Sequence, residues 1–150
     1  MGDAYTSCHI HYVFSTKDRR PHIVPEYCDR LWAYLGGIAR EHGMCAVTVG
    51  GTADHAHLLI QLPSTLSIAK GVQLLKAGSS KWVHDTFPAM RQFAWQAGYG
   101  AFSLSTSSLP NAVAYIAQQE EHHRKHTFQE EFLAFLHRYK VEYDERYIWE

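Results

Sequence analysis

An α+β fold of the ferredoxin-like (RRM-like) type is what this 150-residue sequence predicts, and three observations predict it. Apolar residues alternate along several short segments, the period of half-buried strands. Two longer segments between them repeat apolar residues at intervals of three and four, the period of helices packed on one side. Gly50-Gly51-Thr52 separates two adjacent strand segments, a hairpin signal. The resulting order is β-α-β-β-α-β followed by two helices. Its first six elements make a split βαβ antiparallel sheet with helices on one face and the other face free for a ligand. Many unrelated functions use this scaffold, so function must be argued from side chains.

Taken in order, Tyr5 to Thr16 alternates as a strand, with Cys8, Ile10, Tyr12 and Phe14 on one face and Ser7, His9, His11 and Val13 on the other. Lys17-Asp18-Arg19-Arg20-Pro21 is a charged loop. Pro25 opens a helix whose apolar positions are Cys28, Leu31, Trp32, Leu35 and Ile38, and Gly43 sits where a C-terminal cap belongs. The hairpin strands run from Cys45 to Val49 and from about Ala53 to Leu62. A second helix spans Leu66 to about Phe87, turns Ile68, Val72, Leu75 and Trp82 inward, and stops at Pro88. Tyr99 to Ser105 is the last strand, and Asn111 to Arg124 a third helix. Thr127 with Glu130 forms a capping box for a fourth, whose apolar stripe is Phe128, Phe132, Phe135, Leu136 and Tyr139. No repeat, low-complexity tract or linker interrupts the chain, so residues 1–150 read as a single domain.

Composition narrows the function classes. A hydrophobic content of 46% against 19% charged residues describes a soluble globular protein rather than a disordered tail. No apolar stretch reaches membrane length, and the strand pattern begins almost at the N-terminus, so the expected setting is cytoplasmic, with no membrane partner. Cys8, Cys28 and Cys45 are odd in number, lack zinc spacing, and read as reduced, mostly buried thiols. A net charge of −1 argues against a general duplex binder but leaves room for a local basic patch gripping a short hairpin.

The informative side chains are His55, His57, Tyr115 and Gln119. On a strand, His55-Ala56-His57 puts both imidazoles on one face while Ala56 packs inward. Leu58, Leu59 and Ile60 make that strand stiff and central, and Asp54 stands ready to contact an imidazole from behind. Isolated pairs of this kind are often merely solvated, and a second one, His9-Ile10-His11, reads as structural or supporting. On a helix, Ala112, Tyr115, Gln119 and His122 share a face, with Val113, Ile116 and Ala117 packing inward. A tyrosine there is ordinarily an interface residue. The conjunction is what matters: two imidazoles and an amide oxygen can hold a divalent metal, and a neighbouring tyrosine can attack a phosphodiester.

These residues resemble the HUH single-tyrosine transposases, both the insertion-sequence enzymes and the REP-associated tyrosine transposases. The resemblance covers nearly the whole chain. It runs through Tyr5-Thr6-Ser7, Val13-Phe14-Ser15-Thr16-Lys17, Asp54-His55-Ala56-His57-Leu58-Leu59 and Lys76-Ala77-Gly78-Ser79-Ser80-Lys81-Trp82. It continues in Trp95-Gln96-Ala97-Gly98-Tyr99-Gly100-Ala101-Phe102-Ser103 and Tyr115-Ile116-Ala117-Gln118-Gln119. It closes on Phe128-Gln129-Glu130-Glu131 and Glu142-Tyr143-Asp144-Glu145-Arg146-Tyr147. Ala56 occupies a slot usually bulky in that family, and Ala53 one where proline is frequent.

The resemblance implies that His55, His57 and Gln119 bind Mg²⁺ or Mn²⁺ and that Tyr115 is the nucleophile. It implies cleavage and rejoining of single-stranded DNA beside hairpins through a 5′-phosphotyrosine. It also implies a homodimer with active sites shared between protomers, in a prokaryotic cytoplasm and associated with the nucleoid when on DNA. Lys17, Arg19, Arg20, Lys70, Lys76 and Lys81 are the candidate DNA contacts, with Trp82 and Trp95 near them in sequence. The alternatives are a catalytically silent hairpin-binding module on an RRM-like sheet, or a host-domesticated repeat-processing nuclease of the same chemistry. The sheet lacks a clear RRM stacking motif, which weighs against the first.

Overall fold

A computed structural model describes residues 2–150. Its four strands, β1 (His9–Ser15), β2 (Cys45–Gly51), β3 (His55–Gln61) and β4 (Gly100–Leu104), form one antiparallel sheet in the order β2-β3-β1-β4. The order makes β1 and β3 the two central strands. Helices α1 (Cys28–Glu41) and α2 (Ile68–Thr86) complete the split βαβ pattern. After β4 come α3 (Leu109–Ala117), the short α4 (Gln119–His122) and α5 (Phe128–Arg138). The expected α+β architecture is present.

The pleat sorts the central strands into two chemical faces. Ile10, Tyr12 and Phe14 of β1 join Ala56, Leu58 and Ile60 of β3 in the main core, where Leu31, Leu35 and Ile38 of α1 and Val72, Leu75 and Val83 of α2 meet them. The opposite face carries His9, His11 and Val13 of β1, and Val13 pairs directly with His57. That face is not free, contrary to the expectation. The C-terminal helices cover it, and Val13 and Phe102 pack there against Phe128, Phe132 and Leu136 of α5. The apolar stripe of α5 had to be buried somewhere, and this sheet face is where it lies.

Two glycines let those helices come close. Gly50 lies opposite His57, and a Cβ on it would stand 2.9 Å from the Ile116 carbonyl oxygen of α3. Gly100 lies opposite Val13, and a Cβ there would stand 2.8 Å from the Phe132 ring of α5. One glycine admits α3 and the other admits α5, on either side of the His57–Val13 pair.

Other boundaries differ in instructive ways. β1 starts at His9 rather than Tyr5, which is exposed and pairs with no strand. Ile68 is not an inward position: it begins α2, next to the Ser67 N-cap, and is 41% exposed. Trp82 is half-buried and stacks on Tyr34. The cysteines are free as expected but not mostly buried, for Cys8 and Cys45 are exposed at strand ends and Cys28 is intermediate. The third helix, expected as one piece over 111–124, breaks at Gln118, which leaves the helical region of backbone space (φ −107, ψ 25). Among the described residues no helix is long and apolar enough to cross a membrane.

Candidate active site

His55 and His57 are fully buried on β3. The break at Gln118 rotates the chain so that Gln119, rather than lying on a solvated helix face, is also buried. Its Oε1 stands 3.0 Å from His55 Nε2, and its amide nitrogen reaches back toward the Tyr115 carbonyl. Tyr115, half-buried on α3, stands edge-on to the His57 ring with centroids 5.9 Å apart. The four residues singled out in the sequence therefore meet within one chain.

What stands behind the imidazoles fixes how they present themselves. His55 Nδ1 faces Asp54 Oδ1 at 2.7 Å and Thr52 Oγ1 at 2.9 Å, the contact expected of Asp54. Burial works against the Asp54 charge, but the bonds from His55 and Thr52 outweigh it and hold the carboxyl below its usual range. An ionised carboxylate only accepts, so the His55 proton lies on Nδ1 and Nε2 is left as a lone pair. The atom opposite, Gln119 Oε1, is an acceptor too. With the proton on Nδ1, these two acceptors 3.0 Å apart could hold a cation between them.

His57 Nδ1 lies 2.8 Å from His11 Nε2, which gives its proton somewhere to go and frees Nε2 for the same point. Burial first, then the charge of His57, pulls His11 down to about 3, so it stays a neutral partner. It stands behind His57, on the side away from Glu131. His9 is buried too, and its Nδ1 has no partner.

One residue unsuspected in the sequence sits at the centre. Glu131 of α5 is 4% exposed, with Oε1 2.8 Å from His57 Nε2 and 3.7 Å from His55 Nε2. Its Oε2 accepts from the Tyr115 hydroxyl and lies 3.2 Å from His123 Nε2 and 3.5 Å from His122 Nε2. One ligand atom each of His55, His57, His123 and Glu131 lies within 4.8 Å of the others, so the donor set fits a metal. Burial alone would raise the Glu131 carboxyl; the neighbouring His123, His57 and Tyr115 together carry it well below the carboxylate range. Burial first, then the bond to and charge of Glu131, push the Tyr115 phenol well above its ordinary range. His122 Nε2 is a second neighbour of the hydroxyl, at 3.2 Å. A signal for Glu131 existed: it lies three residues after Phe128 and four before Phe135, an acid set into an apolar stripe.

Beyond Tyr115 opens a pocket of about 510 Å³ between β1, β4, α3 and α5, with Asn111, Phe135, Arg138 and Tyr139 in its lining. The basic candidates are dispersed instead. Lys17 and Arg20 are exposed, and Arg19 lies over the Trp149 ring. Lys70 is exposed near Gln73, and Lys81 is paired with Asp85 at 2.7 Å. Lys76 is not a free cation: its ammonium donates to the carbonyls of Gln96, Ala97 and Gly98, at 2.5 to 3.4 Å. Trp95 is a core residue bonded to Ser79.

A family model described as "Transposase IS200 like" matches residues 4–119, from before β1 to the buried glutamine. The chain belongs to the IS200-like transposase family. Among solved structures, this IS200-like transposase is similar to a candidate transposase from Deinococcus radiodurans R1. The two are 26% identical with a TM-score of 0.63, over 79% of this chain and 96% of that one. It also matches a REP-associated tyrosine transposase bound to a REP hairpin, at 14% identity and a TM-score of 0.59, over 82% of this chain and 73% of that one. The second likeness concerns the fold. No protein with a curated description matches this IS200-like transposase. Its family match ends at Gln119, so His123 and Glu131 lie beyond it.

Proposed function

We propose that this protein is a metal-dependent single-stranded DNA transposase that cleaves and rejoins DNA beside hairpins through a 5′-phosphotyrosine on Tyr115. The observation that carries the reading is the meeting of His55 Nε2, His57 Nε2 and Gln119 Oε1 beside the Tyr115 hydroxyl. His55, His57 and Gln119 would hold Mg²⁺ or Mn²⁺. When bound, such an ion supplies Lewis-acid stabilisation of the charge that builds on the scissile phosphate.

The residues themselves divide the rest. Asp54 and His11 orient the two imidazoles from behind, so their Nε2 atoms need no reorganisation. Tyr115 is held by Glu131 and His122 in the wall of the pocket, from which a phosphodiester can reach it. One nucleoside flanking the scissile phosphate lies in that pocket, against Phe135 and Tyr139, with Arg138 for a phosphate. Tyr115 Oη forms the bond to phosphorus, the P–O3′ bond breaks, and overall the phenol proton ends on the departing 3′ oxygen. The phosphotyrosine conserves the ester, so a second 3′-hydroxyl can reverse the attack and rejoin strands. A homodimer that exchanges α3 between protomers would keep the same contacts across two chains, and a cytoplasmic, DNA-associated setting belongs to the same reading.

The test is incubation with labelled single-stranded hairpin DNA from the gene's own flanks and Mn²⁺, resolved on a denaturing gel. A covalent protein–DNA band that disappears with Tyr115→Phe and with EDTA supports the reading. Binding without an adduct on a verified native flank sinks it in favour of a silent hairpin-binding module.

A further inference from the structure

Resting on the proposed reading of Tyr115 and its metal, the geometry points to Glu131 as a bridging carboxylate. Its Oε1 completes the divalent-metal site of His55, His57 and Gln119, and its Oε2 positions the Tyr115 hydroxyl. Metal seating and nucleophile placement then depend on one side chain of α5.

Three observations carry this. First, two imidazoles and a neutral amide offer no negative charge, whereas Mg²⁺ and Mn²⁺ favour carboxylate oxygen. Glu131 Oε1 is the anionic oxygen that faces both Nε2 atoms, at 2.8 and 3.7 Å. Second, a buried carboxylate calls for a compensating cation. Among the described residues the ion-pair neighbours of Glu131 are all histidines, His55, His57, His122 and His123, none of them a permanent charge. Third, the two oxygens are already divided between the tasks, Oε1 toward the histidine pair and Oε2 toward the phenol. Thr127 and Glu130 fix the first turn of α5 by a capping box, and Phe132 seats against Gly100, so the carboxylate is delivered by a rigid element.

A merely structural Glu131 would hold α5 down without touching metal affinity, and this sets the experiment. Mn²⁺ binding is measured by isothermal titration on the full chain for wild type, Glu131→Gln, Tyr115→Phe and the double variant. Glu131→Gln keeps the shape and removes the charge; it is expected to weaken Mn²⁺ by about tenfold or more. Tyr115→Phe frees Oε2 from a shared proton and should tighten Mn²⁺ by about threefold in the wild-type background, and leave it unchanged in the Glu131→Gln background. Mn²⁺ affinity of Glu131→Gln within about twofold of wild type overturns the proposal, as does an equal effect of Tyr115→Phe in both backgrounds. Should circular dichroism show Glu131→Gln unfolded, Glu131→Asp decides, since withdrawing the carboxylate by one methylene must also weaken Mn²⁺ by about tenfold. Failure of Tyr115 as nucleophile would appear separately, as an adduct insensitive to Tyr115→Phe.

Discussion

The two faces of the sheet are built from neighbouring residues and do opposite work. Ala56, Leu58 and Ile60 point into a core shared with α1 and α2, while His55 and His57, one residue away, point to a face of imidazoles, a glycine and a buried acid. The first face is filled by shape alone. The second sets polar groups beside a small apolar cluster of Val13, Phe102 and α5, and there an imidazole nitrogen and an amide oxygen stand face to face. The apolar side provides a stiff plate; the other uses it to hold ligands at fixed separations.

The sharpest way to separate the faces is Tyr115→Phe. It should abolish the covalent DNA adduct, by about a thousandfold at least, while urea denaturation shows a loss of only about 1–3 kcal/mol, the cost of taking one hydrogen bond from the buried Glu131 carboxylate. Leu58→Ala should do the reverse. The residue is fully buried, so a cost of about 2–5 kcal/mol is expected in urea denaturation, with cleavage per folded molecule retained. Cleavage lost in proportion beyond the unfolded fraction would mean that the faces are not separable.

Gly50→Ala probes the seam. Its Cβ would crowd the Ile116 carbonyl, so α3 must shift, at about 1–3 kcal/mol, and Tyr115 and Gln119 shift with it. Adduct formation should fall more than stability does, which a paired melt and gel assay would read. The acid limb of stability sharpens the comparison further. Folded Glu131 lies below its ordinary value of 4.5, so the unfolded chain binds the extra proton, and the contribution present above 4.5 is lost as pH falls. His57, lowered from 6.5 chiefly by burial, acts in the same direction from higher pH, and His123, which is raised, opposes it. Urea midpoints taken across pH should show a flatter decline below 4.5 for Glu131→Gln than for wild type. The smallest effect is Thr127→Ala, which removes the side-chain cap of α5 at about 1 kcal/mol, seen as a lower melting temperature.

Much of this was legible in one dimension because it is local. Alternation gave β1, β3 and the two faces. Apolar spacing and Pro88 delimited α1 and α2, and Thr127 with Glu130 marked the start of α5. His55, His57, Tyr115 and Gln119 stood out by strand and helix periods, and Asp54 by adjacency. Ile68 and the cysteines misled because a hydrophobic residue at an element's end has no neighbour to bury it.

What only the tertiary structure decided is everything that depends on elements far apart in sequence meeting. The covering of the second face, the inward turn of Gln119 at the break after α3, the capture of Lys76 by three carbonyls and the arrival of Glu131 between the histidines and the tyrosine are of this kind. A periodicity states which side chains share a face, but not what that face will press against. His57 and Glu131 are separated by 74 positions, and their contact at 2.8 Å needs α5 to lie against the sheet, where Gly100 leaves room for the Phe132 ring.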